Sequence, residues 1–296
     1  MNNIRIHLIL FSLFMALTAG IYSSPIFANA SSGQPRKVAL VTGASRGIGF
    51  ALTKQLLEEG IKVIAIARNV ETLSSLKQQF PEQLQVISAD LSTKEGQRSL
   101  APAVLTTKLD YLVHNAAIIE PIGKNVLLEA SPEDIHKIME VNVMAPMILT
   151  NQLAPKLGQG SRILIVSSRA GDKMLPGMGL YCLSKTALDR YTESLQQDLP
   201  RGILAACVHP GDVNTDMQAD LRKQNTTDLP LTNFFRERQD KLTSPDISGR
   251  YLTWLLLKTS DKDFMSKKHN IYDSSHHTHW SKGAAINDPF PGHDIK

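Results

Sequence analysis

The chain has 296 residues, 42% of them hydrophobic, with 32 Lys and Arg against 28 Asp and Glu for a formal net charge of +4. That is the balance of a soluble globular protein long enough to bury a sizeable core. So small a surplus, with no run of five basic residues, speaks against a nucleic-acid surface, and two cysteines exclude a disulfide scaffold or a four-cysteine zinc site.

The first thirty residues read as a leader rather than as part of the fold. Arg5 precedes an apolar run from Leu8 to Tyr22, and Ala28-Asn29-Ala30 is a small-x-small pattern of the kind signal peptidase cuts. Because no Asp, Glu, Lys or Arg occurs from Ile6 to Pro35, the same stretch also suits an uncleaved membrane anchor. Cleavage predicts a periplasmic, secreted or lumenal protein, whereas an anchor would make it membrane-bound.

Strand and helix alternate from there. Lys37 to Thr42 is a short buried strand, and Gly49 to Glu59 a helix with apolar residues on one face, stopped by Gly60. Ile61 to Ala67 is a second strand, Val70 to Phe80 a helix ended by Pro81, Leu84 to Ser88 a third strand and Leu109 to His114 a fourth. Ser131-Pro132-Glu133-Asp134 caps a helix running toward Leu157. Arg162 to Ser167 is a strand, Tyr181 to Asp198 a helix and Ile203 to Val208 a strand. Ser244-Pro245-Asp246 opens a last helix to about Leu257, and Asn270 to Tyr272 makes a brief final strand. Strands apolar on both faces and separated by helices predict one α/β domain, a doubly wound, Rossmann-like parallel sheet with helices on both faces. Its expected span is 36–275, followed by a polar tail, 276–296.

Three features carry chemistry. Gly43, Gly47 and Gly49, with Ala44, Ser45, Arg46 and Ile48 between them, form G-x-x-x-G-x-G after the first strand. Such glycines permit a tight turn and let backbone N–H groups approach phosphates at a helix N-terminus. Tyr181 and Lys185 stand one helical turn apart on one face. Ser168 lies thirteen residues before the tyrosine, at a strand end. A tyrosine is a useful acid only if its pKa of about 10 moves toward working pH, and the Lys185 charge is expected to lower it. Ser168 is placed to donate to a substrate oxygen as negative charge builds there.

This combination resembles the short-chain dehydrogenase/reductase family, with matching order and spacing over roughly residues 36–275. The resemblance implies hydride transfer between a nicotinamide cofactor and an aldehyde, ketone or alcohol. It assigns Tyr181, Lys185, Ser168 and Asn142 to a proton relay, with Asn142 holding a water beside Lys185 and Lys185 also bonding the nicotinamide ribose. It places Asp90 and Leu91 around the adenine, Asn115 and Ala116 beside the cofactor ribose, and Pro210, Gly211, Val213 and Thr215 at the nicotinamide. It further implies a homodimer or homotetramer. His114-Asn115-Ala116-Ala117 departs from the family's two asparagines, alanine and glycine, and His114 reads as a strand-end packing residue.

Cofactor choice turns on the end of the second strand. An NAD site commonly has an acid there. Here Ala67 is followed by Arg68 and Asn69, so Arg68, joined by Arg46, is expected to meet the 2′-phosphate of NADP(H). Residues 214–245, with Met217, Leu221, Leu229, Leu231, Phe234 and Phe235, are expected to form a lid. Met174, Leu175 and Met178 would complete a partly apolar mouth. His276, His277 and His279 lie in the expected tail and do not read as a metal site. The competing reading is an exported or anchored nucleotide-binding protein without turnover, since reduced nucleotide is expected to be scarce outside a cytoplasm.

Overall fold

A computed structural model describes residues 36–104, 106–266 and 268–289. The expected leader, residues 1–30, lies outside them. All described residues belong to one compact unit.

The first half of the chain builds β1 (Val38–Thr42), α1 (Gly47–Glu58), β2 (Lys62–Ala67), α2 (Ser74–Gln79), β3 (Leu84–Ser88), α3 (Lys94–Arg98), α4 (Leu100–Ala103) and β4 (Leu109–His114). There follow α5 (Val126–Glu129), α6 (Pro132–Met139), α7 (Ala145–Leu153), β5 (Leu157–Val166), α8 (Gly179–Asp198) and β6 (Leu204–His209). The last part holds α9 (Asp216–Lys223), α10 (Thr232–Glu237), α11 (Pro245–Lys258), α12 (Asp261–Phe264), β7 (His269–Asn270) and α13 (His277–Trp280).

The seven strands form one sheet in the order β3-β2-β1-β4-β5-β6-β7, and every pair is parallel. Strand order reverses between β1 and β4, and in such sheets a crevice opens at the carboxyl ends beside that point. The central strands are mostly apolar because both faces are covered. Val41, Val63, Val113 and Leu164 face Leu52 and Leu56 of α1 and Leu252 and Leu255 of α11. Leu40, Ile64, Leu112 and Ile163 face Leu149 of α7 and Leu188 of α8. Neighbouring strand residues thus feed opposite cores, as the two-residue side-chain period requires.

Three local features depart from expectation. The helix expected from Ser131 toward Leu157 contains a π-helical turn, Glu140–Met144, between α6 and α7; such a turn adds a residue and reorients the side chains around it. β5 begins at Leu157 rather than Arg162, its first residues continuing beside β4 through a register shift. Residues 276–289, expected in a polar tail, pack on the domain instead. Trp280 is 4% exposed, its ring centroid 4.9 Å from that of Tyr251. Its Nε1 donates to Nδ1 of His276 at 2.8 Å, while His279 stacks on Trp254. Apolar aromatic area removed from water outweighs the polar character of the intervening residues.

His114 closes β4 as a buried residue whose Nε2 hydrogen-bonds Thr150 Oγ1 at 2.8 Å. Burial pushes its pKa from 6.5 down to about 3. Because the folded value lies below the unfolded one, the neutral ring's contribution is complete above pH 6.5 and is lost as pH falls toward 3. Between pH 7 and 5 this one group is expected to remove about 2 kcal/mol. Urea midpoints at the two pH values check it: His114→Asn should lose measurably less on acidification than the unaltered protein.

Candidate active site

The glycine loop sits at the carboxyl end of β1. Gly43 and Gly47 have φ of +66° and +55°, a left-handed conformation that favours glycine. At Gly49 a Cβ would lie 2.2 Å from the Gly43 carbonyl oxygen, so helix and loop touch only because that residue has no side chain. Asn115 braces the loop: its Nδ2 donates to the carbonyls of Thr42 and Gly43 at 3.0 and 3.1 Å. Thr42 Oγ1 in turn accepts from the backbone N–H groups of Asn115 and Ala116. No side chain caps α1, and its first turn holds no acid. Its leading N–H groups and positive dipole end therefore face the cleft, an arrangement suited to a phosphate. These features fit a dinucleotide.

One cleft of about 860 Å³ joins this loop to the other expected residues, among them Arg68, Asp90, Ser168, Tyr181, Lys185 and Val213. Arg46, Asn115, Ala116, Leu91, Ser45, Ile48, Pro210, Gly211 and Thr215 line it too. Arg46 donates to Asp216 at 3.0 Å, both side chains well exposed, a pair weak enough to exchange for a stronger anion. Arg68 follows β2 and is exposed. Burial works against ionisation of Asp90, but the Ser92 hydrogen bonds and the positive charges of Arg68 and Lys137 outweigh it and hold the carboxyl below its usual value.

Ser168 stands just beyond β5 in extended conformation, its Oγ accepting from the Ala170 N–H at 3.1 Å. Burial pushes Tyr181 up to about 12, against which a hydrogen bond from Ser168 acts to lower it and the nearby Cys182 and Asp212 act to raise it. This corrects the expectation that Lys185 lowers the tyrosine in the protein alone. The Lys185 ammonium is 5.6 Å from the Tyr181 ring centroid and donates to the Val166 carbonyl at 2.9 Å. Burial brings Lys185 itself down to about 8, against a raising contribution from Asp189. Desolvation is the largest cause at both groups, raising the phenol and lowering the ammonium.

Asn142 is fully buried in the π-helical turn. Its side chain accepts from the Ile118 N–H at 2.9 Å and donates to the Ile118 carbonyl at 2.8 Å and to Ser184 Oγ at 3.0 Å. The amide is thus committed to joining the loop after β4 to α8.

Sequence reasoning missed a charged cluster at the substrate end. Arg169 and Asp212 both line the cleft. Arg169 donates to Asp212 at 3.2 Å and to Asp288, and the Tyr272 hydroxyl donates to Asp212 at 3.2 Å. Burial raises Asp212 to about 6 against the opposing pull of Arg169. Asp288 comes from the segment that was expected to be a tail, and no spacing in the chain announces this meeting. Of the expected mouth, Leu175, Met178, Met217, Leu221, Phe234 and Phe235 line the cleft. Met174, Leu229 and Leu231 do not: Met174 is 62% exposed on the surface, and the two leucines are buried in a core cluster.

Comparison with known proteins agrees with this geometry. The short chain dehydrogenase family model matches residues 37–226. Tropinone reductase-like 3 of Erythroxylum coca is 35% identical over 194 residues, 64% of this chain and 74% of that protein. The (S)-benzoin-forming benzil reductase of Saccharomyces cerevisiae is 31% identical over 239 residues, 75% and 90% of the two chains. A solved short chain dehydrogenase from Burkholderia cenocepacia in complex with NADP superposes with a TM-score of 0.65 at 29% identity, covering 79% of this chain and 94% of that one. With its parallel sheet, glycine loop and Ser168–Tyr181–Lys185 cluster in one cleft, the chain belongs to the short-chain dehydrogenase/reductase family of oxidoreductases.

Proposed function

We propose that the protein is an NADPH-dependent reductase of aldehydes or ketones, able to run in reverse as an alcohol dehydrogenase. The carrying observation is that Arg68, with no acid beside it at the end of β2, shares one cleft with Ser168, Tyr181 and Lys185. The glycine loop, Asp90, Leu91, Asn115 and Ala116 would hold the dinucleotide's adenine half, Arg46 and Arg68 its 2′-phosphate, and Pro210, Gly211, Val213 and Thr215 its nicotinamide end. The NADP-bound relative supports the same choice. Bound NADPH supplies the hydride.

The protein's own residues manage the oxygen and its proton. Ser168 donates to the carbonyl oxygen, stabilising negative charge as it forms. Tyr181, protonated at neutral pH, donates its proton to that oxygen. The Lys185 cation steadies the phenolate left behind. Asn142 positions α8 through Ser184, so its side chain serves the relay as a brace. Leu175, Met178, Leu221, Phe234 and Phe235 favour an apolar body on the substrate, consistent with a relative named for benzil reduction.

Separate fluorescence titrations with NADPH and NADH, followed by NADPH consumption over a panel of aromatic and aliphatic carbonyls, test this reading. Tight NADPH binding and turnover are expected. A folded protein that binds neither nucleotide would sink it, and binding without turnover of any carbonyl would leave only a nucleotide carrier. On the same reading, residues 1–30 direct the domain out of the cytoplasm, by cleavage after Ala30 or as an anchor, which sequencing the mature amino terminus decides. Exposed Met144, Met147 and Leu183, on α7, the adjoining π-helical turn and α8, supply apolar surface for pairing two copies.

A further inference from the structure

Lys268 precedes the edge strand β7, a hundred residues from Ser168 in sequence, yet its ammonium reaches beneath the active site. It donates to the Ser168 main-chain carbonyl at 2.8 Å, to Asp172 Oδ2 at 2.8 Å and to Asp189 Oδ2 at 2.7 Å. Three ammonium protons meet three acceptors, which is the full donor capacity of a lysine. The side chain is 18% exposed and that of Asp189 15%, so this is a largely desolvated pair whose charges are weakly screened.

What the ammonium joins gives it meaning. Ser168 is the carbonyl-polarising residue. Asp189 lies one turn beyond Lys185 on α8. On β6 the buried Cys207 thiol lies near the same Asp189 carboxylate, which works against its ionisation. Gly171, at the end of the turn carrying Ser168, has no side chain where a Cβ would lie 2.1 Å from Asp189 Oδ2 and 3.0 Å from the Lys268 ammonium. The loop is shaped around the pair.

We propose that Lys268 is a positioning residue for the reaction: it fixes the Ser168 main chain against α8 and, by neutralising Asp189, sets the charge that Lys185 experiences. The proposal rests on the reductase reading and extends it to a residue outside the cleft. Around Lys185 stand Tyr181 and Asp189 on its own helix, Lys268 from the β7 side and Asp172 from the turn after Ser168. Cys207 and His209 lie on β6, and the Arg169–Asp212 pair lies beyond. Burial is the main cause that lowers Lys185; Asp189 opposes it and Lys268 adds to it. Removing the Lys268 charge therefore leaves Asp189 to hold the Lys185 proton more firmly. Removing the Asp189 charge does the reverse.

The test is the pH profile of kcat with NADPH and a carbonyl substrate, using the full chain. In the direction of reduction, loss of the Lys185 proton produces an alkaline limb. In Lys268→Met this limb should move up by about half a pH unit or more, with kcat down about tenfold. Lys268→Arg keeps the charge and should keep the limb in place. Asp189→Asn, which removes the carboxylate charge and keeps an oxygen able to accept from Lys268, should move the limb down and stands in for the methionine variant if that one does not fold. Opposite movements in the two neutral variants bear the proposal out. An unmoved limb in Asp189→Asn and in any folded Lys268→Met overturns it, whatever happens to the melting temperature. An unaltered protein that reduces no carbonyl brings down this inference together with the reductase reading.

Discussion

Replacing Tyr181 by Phe is expected to lower kcat by about a thousandfold or more while NADPH affinity stays within about threefold. The ring is buried and packs with Leu175, Met178 and Leu180, and phenylalanine keeps that packing. What disappears is the hydroxyl beside Ser168 in the cleft. With it goes the only proton donor that the mechanism places at the carbonyl oxygen. Steady-state NADPH consumption gives the first quantity and fluorescence titration the second. Turnover near that of the unaltered protein would remove Tyr181 as the acid. A parallel loss of NADPH binding would show instead that the hydroxyl shapes the cleft.

Arg68→Ala should weaken NADPH binding about ten- to a hundredfold and change NADH binding by less than about threefold, the difference expected for one charge-assisted contact to a phosphate that NADH lacks. The exposed position of Arg68 argues that no structural contact is lost with it, so the effect should be confined to affinity. Arg46 is a weaker discriminator, because a phosphate must first replace its contact with Asp216. Adding Arg46→Ala to Arg68→Ala should therefore bring NADPH close to NADH. Separate titrations of the two nucleotides into each variant measure this. Equal weakening of both nucleotides by Arg68→Ala would contradict the 2′-phosphate assignment.

The elements that position the site were legible because their signals are local. The apolar runs at β1, β2, β4 and β6 reflect burial on both faces. Ser131 and Ser244 each cap a helix as their Ser-Pro-acid patterns predict, accepting from the N–H groups of Asp134 and Ile247. The short helices α3, α4, α9 and α10 carry no clear signal, their sequences being too short or too polar for periodicity to rise above background. Arg162 illustrates the limit well. In the chain it is a polar residue at the start of a strand, but in the fold it donates to the carbonyls of Leu255, Leu256 and Thr259 at the end of α11. It satisfies acceptors that a helix C-terminus leaves open.

By itself the sequence determined the family, the order of the strands and the longer helices, the glycine loop, and the spacing that brings Ser168, Tyr181 and Lys185 to one cleft. Each of these depends on nearby residues or on a pattern repeated wherever the same backbone must be built. Only the tertiary structure decided that the phenol and the ammonium are both desolvated, which sets the direction of their pKa shifts. It alone carried Lys268, Tyr272 and Asp288 from late in the chain to Ser168, Asp212 and Arg169. Burial and charge fall off with distance in space, and residues a hundred positions apart leave no mark of their nearness in the order of the chain.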